Sequence, residues 1–157
     1  MTKTPARFYQ VLATAEMVTW AGLITAMIAR YGFGYEGEMF FVAGLSHGIV
    51  FLAYGLTALV IGINLRWGLG LTVVAVVMAI VPFATVPLDQ WLLRNNKLAG
   101  EWATMATTEP APAGFLDRLV RFWVGHPGWF FALIVVGMGA LLTVLLTLGS
   151  PTEWGNG

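Results

Sequence analysis

Residues 39–63 read MFFVAGLSHGIVFLAYGLTALVIGI, a stretch without a single Lys, Arg, Asp or Glu. As a helix at 1.5 Å per residue it reaches roughly 37 Å, more than the ~30 Å of hydrocarbon in a bilayer. Working outward, three more runs have the length and apolarity of a membrane span: 8–29, 67–86 and 129–149. The first holds Glu16 as its only charge, the second holds His47, and the last two hold no charge. The whole composition agrees. Of 157 residues, only eight are Lys or Arg and eight Asp or Glu, while 58% are hydrophobic. A water-soluble fold of this size needs a polar shell that so few polar side chains cannot build. The expected fold is therefore all-α and polytopic, with four transmembrane helices and short interfacial amphipathic helices.

The same arithmetic excludes other classes. A formal net charge of zero leaves no basic stripe for phosphates, so no nucleic-acid partner is expected. With no cysteine, thiolate catalysis, disulfides and Cys-based metal sites are absent. Lys3 and Arg7 ahead of an apolar run resemble a secretory signal, but the run is too long and lacks a small-x-small cleavage site. It reads as a retained first helix. Phe8, Tyr9, Tyr31, Tyr35, Trp67, Trp91, Trp123 and Trp129 fall where headgroup-level aromatic belts belong.

The connections are unequal. Residues 30–38 form a short Gly-rich turn and 64–66 a very tight one, whereas 88–128 is a long polar segment carrying Arg94, Lys97, Arg118 and Arg121. Within it, Leu88, Trp91 and Leu92 repeat at helical spacing, as do Phe115, Leu116, Leu119, Val120 and Trp123. Both segments read as amphipathic helices lying on the membrane surface, separated by the Pro/Ala linker TTEPAPAG at 107–114. With four crossings, Lys3, Arg7 and Arg66 share one side, against Arg30 and the four loop cations on the other. The count favours a cytoplasmic long loop, and the first helix favours a cytoplasmic N-terminus. The expectation taken is a multi-pass protein of the bacterial plasma membrane with its N-terminus in the cytoplasm.

A carboxyl group deep in hydrocarbon costs about 2.5–3.5 kcal/mol even on lenient scales, so Glu16 needs a partner or a proton. His47 lies at a similar depth in the antiparallel second span, within hydrogen-bonding reach across the midplane. The candidate intramembrane polar site is Glu16, His47, Tyr54 and Thr19, with Phe51 and Tyr54 following His47 on one stripe. Such a pair either fixes helix register or moves a proton. One Glu and one His are too few for a metal site, and no cofactor is expected. Gly44, Gly48 and Gly55 give the second span a face that allows close helix approach, within the chain or to another subunit. In the third span Pro82 removes a backbone hydrogen bond and kinks or ends the helix. The carbonyls freed around Met78 then need a neighbouring donor, Thr85 being one turn away, and Pro87 stops the span.

Glu16 with Thr19 and Trp20, then Gly44, His47, Gly48, Phe51 and Tyr54, then Pro82, Phe83 and Thr85, resemble the signature positions of the YdzA-like family of small bacterial integral membrane proteins. That family is built around a three-helix domain of unknown function, number 3817. The likeness covers about residues 6–91 and makes that stretch a three-helix core, with 88–128 and the span at 129–149 as additions. Ala84 stands where a Gly is expected after Phe83, and Val86 where an aromatic is expected. The resemblance implies no activity.

No Ser/His/Asp set, phosphate loop or paired carboxylates are present, so the chain is read as no enzyme. Two functions compete: a non-enzymatic accessory or assembly subunit of a larger membrane complex, and a small proton-coupled carrier or sensor using Glu16 and His47. The expected partners are the lipid bilayer and a membrane-protein partner or second copy.

Overall fold

The computed structural model describes residues 4–102 and 114–148, which form helices joined by short turns, with no strand among the described residues. Helix α1, Pro5–Met27, starts where Pro5 occupies the first turn and the Thr4 hydroxyl accepts the Arg7 amide at 3.4 Å. Its missing amide makes proline harmless there, and the threonine satisfies one orphan donor. α1 continues into a single π-helical segment, Ile28–Gly32. α2, Met39–Asn64, is unbroken and runs antiparallel to α1, against which it packs along its length. Two helices, α1 with its π segment and α2, are long and apolar enough to cross a membrane. α6, Pro127–Leu148, has 22 residues, about 33 Å of helix.

The segment expected as one crossing helix over 67–86 is two helices. α3 spans only Leu69–Val77, tightens into a 3-10 turn at Met78–Ile80, and stops. Pro82 and Phe83 form the turn, Phe83 in the left-handed region at φ 66°. α4, Thr85–Arg94, then runs back. The reversal is fixed at both ends. At the tip, the Trp20 indole donates to the Ala79 carbonyl at 3.1 Å and the Thr85 hydroxyl to the Ala13 carbonyl at 3.1 Å. At the base, the Trp67 indole donates to the Lys97 carbonyl at 2.7 Å, so residues 67 and 97 meet.

Matching caps start and finish this hairpin. Trp67 N donates to Gly62 O and Arg66 N to Ile63 O at the end of α2, and Lys97 N donates to Leu92 O and Asn96 N to Leu93 O at the end of α4. Both are paired closures around a left-handed residue, Arg66 and Asn96, each at φ 54°. Pro87 does not stop a span; it sits in the first turn of α4, where a missing amide is tolerated.

α4 also differs from the expected surface helix. It packs along α1, with Leu92 fully buried in a core shared with Tyr9, Ala13, Tyr54, Ala58, Ile61, Ala75, Ala79 and Leu98. α5, Phe115–Gly125, lies against the C-terminal half of α2, where Val120 and Val124 join Ala53, Val60 and Ile134 of α6. Its faces depart from the expected split: Phe115 and Leu116 are exposed, and Arg121 is buried. α6 returns antiparallel to α2, bringing Met138 to Gly48 and Gly137 to Leu52. The linker expected at 107–114 lies outside the described residues except for Gly114.

Candidate functional site

α1 and α2 face each other with their polar residues in two rungs. Glu16 projects from the middle of α1 and is fully buried. Its Oε2 lies 3.4 Å from Nδ1 of His47, which is also buried. The Thr19 hydroxyl donates to the Glu16 carbonyl at 3.1 Å and lies 3.2 Å from the same His47 Nδ1. A hydroxyl has one hydrogen. With that hydrogen on the carbonyl, Nδ1 of a neutral His47 carries its own and shares it between Thr19 Oγ1 and the Glu16 carboxylate. Trp20 covers the imidazole with ring centroids 4.4 Å apart, and Phe51 flanks it at 6.1 Å. The other carboxylate oxygen, Oε1, is buried without a hydrogen-bond partner.

In chemical terms such a pair has room for one proton. Ionised Glu16 beside neutral His47 leaves one negative charge in a buried place. One added proton neutralises it, on either the carboxylate or the ring, and a neutral pair is far less costly away from water.

Seven residues away on each helix is the second rung. Tyr9 and Tyr54 are both fully buried and their hydroxyls hydrogen-bond each other, with ring centroids 5.3 Å apart. Tyr54 had been grouped with Glu16 and His47 on spacing. The structure pairs it with Tyr9 instead, two turns along. Tyr9 is no belt aromatic: it lies inside the bundle, edge-on to Trp67 at 6.1 Å. Beside this rung α4 delivers Asp89, 7% exposed, bonded to Gln10 through one oxygen while Oδ1 has no partner. Thr57 adds a buried hydroxyl with no partner, one turn along from Tyr54.

Sequence reasoning missed Tyr9, Asp89 and Trp20 as site residues. Tyr9 was hidden by its nearness to the chain start, Asp89 by the expectation that the helix around Leu88 and Leu92 lies on the membrane surface. Tyr9 and Glu16 being two turns apart, as His47 and Tyr54 are, was the available signal. Thr85, expected to repair the carbonyls opened by Pro82, bonds α1 instead, and the repair at Ala79 comes from Trp20. The glycines divide. A methyl group on Gly48 would meet Met138 and one on Gly62 would meet Thr72, whereas one on Gly44 or Gly55 would meet nothing within 4 Å. Packing within the chain therefore uses Gly48 and Gly62. Among the described residues no group of three or more His, Asp or Glu is placed to hold a metal ion.

The chain is 30% identical over 107 residues to a Streptomyces coelicolor protein that carries a provisional membrane-protein name. The alignment covers 68% of this chain and 12% of that much longer protein. No solved structure matches. The family described as Domain of unknown function (DUF3817) matches residues 6–94, the stretch that carries both rungs and the α3–α4 hairpin. The chain belongs to the DUF3817 family of proteins of unknown function.

Proposed function

We propose that this is a multi-pass membrane protein that takes up and releases a proton at the Glu16–His47 pair, working as a small proton-coupled carrier or sensor. The carrying observation is a fully buried carboxylate 3.4 Å from an imidazole nitrogen, with its second oxygen unpartnered. A carboxyl group kept only for helix register has no reason to leave an oxygen unsatisfied in hydrocarbon. pH-titrated infrared spectroscopy in lipid nanodiscs tests it. A protonated-carboxyl band that titrates in the native protein and disappears in Glu16→Gln, with folding intact, is expected. Equal loss of folding in Glu16→Gln and Glu16→Ala would assign the pair a structural role instead.

The membrane arrangement that goes with this reading has three crossings, α1, α2 and α6, and one re-entrant hairpin, α3–α4. Non-helical backbone at membrane depth is tolerated where protein covers it, and Trp20 and Thr85 cover this turn. The hairpin also changes the charge count. If 67–97 returns to its own side, Lys3, Arg7, Arg66, Arg94, Lys97, Arg118 and Arg121 share one face and only Arg30 lies on the other. That asymmetry supports a cytoplasmic N-terminus far more strongly than four crossings do.

An accessory-subunit role has its own support. Gly44 and Gly55 on α2 are open to a neighbouring helix, and Phe41, one turn from Gly44, is 63% exposed. Stoichiometric co-purification of one membrane protein at native expression, lost in Gly44→Leu, would favour it; a lone monomer would remove it.

A further inference from the structure

We propose that the Tyr9–Tyr54 rung and Asp89 form the proton path that joins the Glu16–His47 pair to the membrane face at which the α3–α4 hairpin opens. This rests on the proton-binding reading of Glu16 and His47, and it adds the side of entry and the residues that carry the proton.

Geometry supports it first. On α1 the step from Glu16 to Tyr9, and on α2 from His47 to Tyr54, is seven residues, about 10 Å along each axis. Because the helices are antiparallel, both steps lead the same way, toward the ends where Pro5 begins α1 and Asn64 ends α2. Helical side chains lean toward the N-terminus of their own helix. Glu16 therefore leans toward the tyrosines, and Tyr54, on the opposing helix, leans toward Glu16. Between the rungs α1 presents Ala13, buried in the same core as both tyrosines, with Phe51 of α2 packed against that core. The proposed path needs one or two waters between the tyrosine hydroxyls and Glu16.

Satisfaction of polar atoms supports it second. Three buried oxygens along this line lack partners: Glu16 Oε1 at the inner end, Asp89 Oδ1 beside the tyrosine rung, and Thr57 Oγ1 one turn beyond Tyr54. Orphaned buried oxygens in a packed seam mark places that water or a proton occupies. The titratable groups facing the line are Glu16 and Tyr9 from α1, His47 and Tyr54 from α2, and Asp89 from α4; α3 and its 3-10 turn contribute none. No other seam among the described residues collects such groups.

The transfer conserves protons and breaks no heavy-atom bond. Asp89 gives its proton to one tyrosine oxygen as that hydroxyl releases its own to its partner. The second hydroxyl passes a proton, through bridging water, to the Glu16 carboxylate, and each tyrosine ends neutral with its hydrogen bond reversed. Asp89 is refilled from the aqueous face, past the exposed Arg94 and Lys97 five and eight residues further along at the end of α4. Phenylalanine in place of either tyrosine keeps the ring and removes the relay.

Time-resolved infrared spectroscopy after a light-triggered pH jump in nanodiscs tests the path, with the Glu16 carboxyl band as the readout. Tyr54→Phe and Asp89→Asn are each expected to slow the rise of that band ten-fold or more while leaving its final amplitude unchanged, the amplitude serving as the control for folding. Tyr9→Phe is expected to match Tyr54→Phe. A rise as fast as native in both Tyr54→Phe and Asp89→Asn overturns the path and leaves Glu16 as the proton site. Absence of the band change in the native protein overturns the underlying reading, and the path with it.

Discussion

Residues 39–63 and 67–86 are comparably apolar and equally free of charge, yet one is a single unbroken helix and the other folds back on itself. Hydropathy counts side chains and treats the two alike. What separates them is where their backbone hydrogen bonds go. α2 satisfies its own ladder from end to end. The other segment loses an internal donor at Pro82 and puts Phe83 in a left-handed conformation that a non-glycine residue adopts at a cost of about 1–2 kcal/mol. It survives because α1 supplies Trp20 as a donor and Ala13 as an acceptor at the turn, while Trp67 closes the base on Lys97. The hairpin is thus a property of α1 and α2 as much as of its own sequence. Its return leg places Asp89 beside the tyrosine rung.

That difference can be broken from several points. Trp67→Ala removes both the bond that joins the hairpin's ends and the edge contact with Tyr9, and should cost about 3 kcal/mol, read by steric-trapping unfolding in bicelles. The same change at an exposed aromatic such as Trp129 should cost well under half as much. Gly62→Ala comes next. A methyl group there meets Thr72 at 2.6 Å and the Thr72 Cβ at 3.2 Å, pushing α3 off α2 for about 1–3 kcal/mol. Gly48→Ala meets only the end of Met138, which swings aside, so its cost should stay within about 0.5 kcal/mol. Trp20→Phe keeps a ring over His47 but leaves the Ala79 carbonyl without its donor, for about 1–2 kcal/mol. Phe83→Gly has the opposite sign: it relieves the left-handed strain and should be neutral or stabilising by up to about 1 kcal/mol, whereas Phe83→Val should be destabilising at the same position.

Much of the helical framework was legible. The bounds of α2 and α6 follow directly from uncharged runs bracketed by polar or helix-breaking residues, and α5 from its spacing of apolar residues. Glu16 and His47 stand out because buried ionisable groups in apolar runs are rare and costly, and antiparallel geometry then puts them at one depth. The third run was misread for a physical reason. Pro82 announced a break, but sequence alone does not say whether a broken helix continues or reverses, because the deciding donors and acceptors lie some 60–70 positions earlier in the chain. With the reversal missed, α4 was placed on the membrane surface and Asp89 with it. Tyr9 was lost in another way: near the start of a span, an aromatic buried against a partner and one facing headgroups look the same in sequence. The glycine stripe was half informative. Spacing identifies Gly44, Gly48 and Gly55 alike, but only the position of α6 distinguishes the one that is covered.

The most direct test uses the absence of cysteine from the chain. Single cysteines at Gly68, Lys97 and Glu38, all exposed, can be labelled with a membrane-impermeant maleimide in intact cells and in inverted vesicles. If residues 67–97 form a re-entrant hairpin, Gly68→Cys and Lys97→Cys react from the same side, the cytoplasmic one, and Glu38→Cys from the opposite side. Labelling of Lys97→Cys together with Glu38→Cys, and opposite to Gly68→Cys, would mean that this segment crosses, and would contradict the account.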